Sequence, residues 1–157
     1  MMCFLNWLYT VLNRMGINFA NFVLDKNERI KAQKYCYLLN KFLNLPINGA
    51  FSLYINGPYN SKLADILYEI TRCNNLSTVH LDSNVENIIN IIINIFPYNK
   101  ENVVNELEIF TTYDFLCNNY PNLTDSQRMS ELFQLKGHLT GYSEFISNLN
   151  QIEQAFI

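Results

Sequence analysis

The sequence predicts a mainly α protein: a single compact helical domain of six to seven helices with a small two-stranded β element. Three observations carry that expectation. Apolar residues recur at i, i+3, i+4 and i+7 along most of the chain. Every proline and glycine falls between those periodic runs, where helix-breaking chemistry does no harm. One stretch alternates with period two, as a half-buried strand does. The chain's 157 residues, 49% hydrophobic and 16% charged, suffice for a core of their own and exclude a disordered tail.

The first helix spans about 3–15, with Phe4, Trp7, Leu8, Val11, Leu12 and Met15 on one face. It lacks a basic leader and a small-residue cleavage site, Arg14 interrupts it, and a bilayer needs about 20 apolar residues. A helix packed on the domain or on a partner is therefore expected, rather than an export signal. On this reading 1–24 is an amphipathic helix with its connection, and 25–157 is the helical domain.

The second helix opens at Asp25, an N-cap, and runs to about 43 through ERIKAQKYCYLLNKFL. Residues 50–56 alternate, placing Phe51, Leu53 and Ile55 on one side, and a tight Gly57-Pro58 turn follows. Asn60 caps a third helix to about 73 that buries Leu63, Ile66, Leu67 and Ile70. Thr78–Asp82 alternates weakly and supplies the second strand. Ser83 and Glu86 form a capping box before the helix that stops at Pro97, and a fifth helix covers about 100–119. Thr124 and Gln127 repeat the box before a helix ending at Lys136 and Gly137, and a last helix spans about 140–156.

Charge is unevenly placed. Residues 1–73 carry a net +4 and residues 74–157 a net −7 within an overall −3, which argues against indiscriminate coating of nucleic acid. Cys3, Cys36, Cys73 and Cys117 form no CxxC unit, so they fit neither a disulfide framework nor a zinc site; a reducing, cytoplasmic setting is expected, without a membrane. The only histidines are His80 and His138, and no HExxH, GxSxG, phosphate-loop or GxGxxG pattern occurs. Asp65 and Glu69 share a helix face, as solvated charges commonly do. No catalytic residue, metal ligand or cofactor site is therefore assigned.

The most distinctive local sequence is FSLYINGPYNSKLADILYEI, residues 51–70. Together with ERIKAQKYCYLL it resembles the signature of the small YwgA-like proteins, which are similar to SocA-like and Panacea antitoxin domains. LEIFTTYDFL, the segment ending LFQLKG and the final helix resemble later parts of the same pattern, so the likeness covers roughly 25–157. Gln33, Lys34, Gly57, Pro58, Tyr59 and Leu63 fit in order; Asn60-Ser61 and Ala32 depart from it. The resemblance implies a mainly helical domain without established catalysis, and the related antitoxin-like domains act by binding another protein.

The expected function is thus a protein-binding regulator or inhibitor in microbial conflict, antitoxin-like or of the phage-borne anti-defence, anti-CRISPR kind. Its partner would be a toxin, nuclease or defence complex, and the acidic half could occupy a basic groove on a nuclease. The candidate partner-binding residues are Tyr9 on the polar side of the first helix, Lys31 and Lys34, and Tyr59, Asn60 and Lys62 at the corner; Trp7 is either a core anchor or an interface residue. The alternative is a winged-helix-like nucleic-acid-binding regulator using the basic residues of 26–41, with Lys31, Lys34 and Lys41 as a phosphate-contacting stripe.

Overall fold

The computed structural model describes residues 2–135 and 141–157. Eight α-helices lie among them: α1 Met2–Arg14, α2 Lys26–Phe42, α3 Ser61–Arg72, α4 Ser83–Ile95, α5 Val103–Asn119, α6 Asp125–Leu135, α7 Ser143–Ser147 and α8 Leu149–Glu153. A hairpin of β1 Ser52–Tyr54 and β2 Gly57–Tyr59 sits between α2 and α3, and a 3-10 turn, Gln154–Phe156, follows α8. The mainly α expectation with a two-stranded element holds.

The helices begin where their caps direct. Asp25 accepts bonds from the backbone N–H groups of Asn27 and Glu28, and Asn60 accepts one from Leu63. Thr124 and Gln127 close a reciprocal capping box, at 2.7 and 3.2 Å. Leu5, Leu8, Val11 and Leu12 of α1, with Met15 just after it, are buried in the same core as α2 to α5. The first helix therefore packs on the body of the molecule. Trp7 packs against that core and stacks on Phe4 at 6.0 Å.

α2 and α5 form the centre. Both are buried around most of their circumference, although α2 carries charge on many turns. Burial of such groups is tolerable only when each finds a partner. Tyr35 donates to the Phe96 carbonyl at 2.7 Å. Asp114, fully buried on α5, accepts from the Tyr37 hydroxyl at 2.6 Å and pairs with the Lys41 ammonium at 2.8 Å. At the far end Phe156 packs on Phe110 at 5.2 Å and on Phe42 at 5.8 Å, so the last turn closes an aromatic cluster.

Four local expectations are corrected. Residues 78–82 are not a strand: Asn6 Oδ1 accepts from the Ser77 N–H at 3.1 Å and Thr10 Oγ1 from the Val79 N–H at 3.0 Å. Side chains of α1 thus satisfy that segment's backbone. The partner of β1 is instead β2, in the register Ser52↔Tyr59, Leu53↔Pro58, Tyr54↔Gly57. The turn is Ile55-Asn56 rather than Gly57-Pro58, and the left-handed φ of +94° falls on Gly57. A side chain there would meet Thr112 Oγ1 at 3.0 Å and Lys34 Cε at 3.3 Å.

The third correction is at α4, where Asp82 rather than Ser83 is the N-cap, accepting from the Val85 N–H at 2.9 Å. Glu86 is turned instead toward Arg14, with which it forms an ion pair. The fourth is at the C-terminal end, where the single helix expected over 140–156 is broken. Asn148 donates to the Glu144 and Phe145 carbonyls, ending α7 before α8 starts. The expected helix end at Lys136-Gly137, and His138, lie outside the described residues.

The hairpin is fastened to α2 by side chains. Gln33 Nε2 donates to the Asn60 carbonyl at 3.0 Å, and the Asn60 N–H donates back to Gln33 Oε1 at 3.1 Å. Lys34 Nζ donates to the Pro58 carbonyl at 2.8 Å. All of this is buried, so Gln33→Leu leaves a donor and an acceptor of Asn60 stranded. It is expected to cost about 2–4 kcal/mol, read as a lowered denaturant midpoint at unchanged slope.

Glu153 of α8 is buried toward Asp114. Burial first, then the hydrogen bond and charge of Asp114, push its carboxyl up to about 8, against the opposing pull of Lys41 and Arg128. A raised carboxyl pKa favours the protonated form in the fold. Its stabilisation is full below the ordinary carboxylate range and is lost as pH rises through about 8. The thermal midpoint should fall between about pH 5 and pH 9. Glu153→Gln, neutral throughout, should flatten that slope; an unchanged slope refutes the assignment.

Candidate functional site

A cavity of about 330 Å³ opens between the start of α2, the hairpin and α3. The chain builds it in four parts, one of them α3 with Ala64, Leu67 and Tyr68. The connection before α2 contributes Phe22, which is buried and meets Tyr68 of α3 edge-on at 5.8 Å. α2 contributes Lys26, Arg29, Ile30, Gln33 and Lys34 along one face, as i, i+3, i+4 spacing requires. The hairpin contributes its tip, Tyr54 to Gly57, and Tyr59.

Each wall is held in place. Arg29 Nη1 donates to the carbonyls of Phe22 at 3.1 Å and Val23 at 2.6 Å, tying the connection to α2. Tyr54 and Tyr59 pack edge to face at 5.1 Å. Burial, with smaller effects of Tyr68, Asp65 and Tyr54, pushes the Tyr59 phenol above its ordinary range, so it stays a neutral donor. Lys26 is exposed and forms no ion pair among the described residues. Three lining residues are cations and none is a carboxylate.

The structure brings together some of the residues singled out from the sequence and separates others. Tyr59 and Lys34 line the cavity, and Asn60 lies buried directly behind it as the cap of α3. Lys62 is exposed on the first turn of α3, outside the cavity. Lys31 is buried and pairs with Glu28 at 2.7 Å, while Glu28 also accepts from the Asn18 N–H. Tyr9 is half-buried elsewhere, its ring on Phe19 at 5.7 Å.

The proposed phosphate-contacting stripe does not form a surface. Lys31, Lys34 and Lys41 are turned inward, onto Glu28, the Pro58 carbonyl and Asp114. α3 presents exposed Asp65 and Glu69, which repel a phosphate backbone.

Sequence reasoning missed the hairpin tip. The alternation predicts Ile55 on the buried side of the strand with Phe51 and Leu53, yet it is 84% exposed and Tyr54 is 59% exposed. The available signal was an isoleucine just before Asn-Gly, a dipeptide that favours a turn and so ends the alternation. Phe22 and Tyr68 came from segments that no local pattern joins.

Reactive groups are sparse near this site. Burial pushes the Cys36 thiol up, and burial with Glu153 does the same for Cys117, so neither is an activated thiolate. Cys73 is half-buried and His80 is exposed. Among the described residues no group of three His, Cys, Asp or Glu is arranged to hold a metal ion, and no helix is long and apolar enough to cross a membrane. No family model, curated protein or solved structure matches the chain.

The corner residues divide by role. Asn60→Ala removes the cap and the Nδ2 bond to the Gly49 carbonyl, and should cost about 1–2 kcal/mol in thermal unfolding. Lys62→Ala should stay within about 0.5 kcal/mol of the parent. Equal effects would overturn this division.

Proposed function

We propose that this chain is a non-enzymatic, cytoplasmic protein-binding regulator of the antitoxin-like or anti-defence type, and that it grips its partner with the hairpin tip and the cavity beneath it. One observation carries the proposal. Two large apolar side chains, Tyr54 and Ile55, stand in solvent on a hairpin whose backbone is bolted to the central helix. Water-exposed apolar groups on a pre-ordered support gain free energy when a partner covers them and lose little conformational freedom in doing so.

The likeness of 25–157 to YwgA-like and antitoxin domains supports the same reading, and the four free thiols suit a reducing compartment. The test is affinity capture of the tagged full chain from its native host, with lysine-directed crosslinking and mass spectrometry. One stoichiometric protein crosslinked through Lys26 is expected. Recovery of no stoichiometric protein would overturn the proposal.

A further inference from the structure

We propose that the cavity between α2, the hairpin and α3 receives an acidic segment of the partner protein. One apolar or aromatic side chain of that segment enters the cavity, and its carboxylates lie over Lys26 and Arg29. This inference rests on the protein-binding reading above and adds the chemistry of what is bound.

The charge argument comes first. A chain of net charge −3 lines this one recess with Lys26, Arg29 and Lys34 and with no Asp or Glu. Lys34 is only 2% exposed and is held on the Pro58 carbonyl, so the cations that face the mouth are Lys26 and Arg29. Arg29 uses Nη1 on the Phe22 and Val23 carbonyls, while Nη2 makes no hydrogen bond among the described residues. Apolar walls weaken solvent screening, so these cations act on an anion more strongly than they would on an open surface.

Shape supplies the anchor. Phe22, Ile30, Leu67 and Tyr68 give the recess apolar walls, and about 330 Å³ is at the small end of ligand sites. A small anion would leave most of it, and the apolar surface around it, wet. Leu24 is 92% exposed and Val23 55%, beside the Arg29-bound connection, and Ile55 is 84% exposed at the opposite lip. This apolar surface continues beyond the mouth, as a bound polypeptide requires and a small solute does not.

The full chain would be panned against a displayed library of short random peptides at low ionic strength. Enriched peptides should carry an excess of Asp and Glu flanking an aromatic or large aliphatic residue. Ile55→Asp should weaken the best peptide about thirtyfold. Lys26→Glu should weaken it about tenfold and flatten its salt dependence. Both residues are exposed, so both variants should melt with the parent, which separates lost binding from lost fold.

Neutral or basic enriched peptides, no enrichment, or affinities indifferent to both substitutions would overturn the inference. So would self-association through the cavity, seen as a dimer that Ile55→Asp dissolves. A captured host protein that binds both variants like the parent would refute this inference alone. Failure to capture any protein would refute the broader reading instead.

Discussion

The arrangement rests on two consecutive side chains of α2 that serve the backbone of another element. A two-stranded hairpin offers each strand only one neighbour, and buried backbone groups left without partners would oppose folding. Gln33 supplies an amide that pairs with both polar groups of Asn60, as a neighbouring strand would, and Lys34 takes the Pro58 carbonyl. The glycine at 57 then permits the close approach, because Thr112 and Lys34 occupy the space a side chain would need. From this contact follow the direction of α3, the floor of the cavity and the position of the tip.

The same economy governs charge. A helix reading KNERIKAQKYCYLLNKF looks like a basic surface, yet Lys31, Lys34 and Lys41 each turn inward to an acceptor. Only Lys26 and Arg29, near the N-terminal end, keep their charge toward the cavity. Most of the positive charge of α2 is therefore internal wiring. What this helix keeps outside is concentrated at one recess, where it has a stronger effect than a diffuse positive face would.

Much of the helical frame was legible in the sequence because its signals are local. Asp25, Asn60 and the Thr124–Gln127 pair mark starts, and the apolar spacing of Leu8, Val11, Leu12 and Met15 marks a buried face. The failures share a cause. Thr78 to Asp82 alternates like a strand, but Asn6 and Thr10, some seventy residues earlier, hold its backbone. Asp82 rather than Ser83 caps α4, and Glu86 finds its partner in Arg14, 72 positions earlier. At the site, Tyr59 and Lys34 were found from their motifs. Tyr54, Ile55 and Phe22 were not, since exposure and spatial proximity leave no periodic trace.

Gln33 and Asn60 are 27 positions apart, so the shape of the tip depends on a contact that no local segment supplies. A synthetic copy of residues 52–59 would keep only its own short ladder, lose the bonds to α2 and sample many conformations. Grafting that segment onto an unrelated scaffold would meet the same difficulty. The surface belongs to the assembled molecule, and anyone seeking to imitate it must carry the supporting helix along.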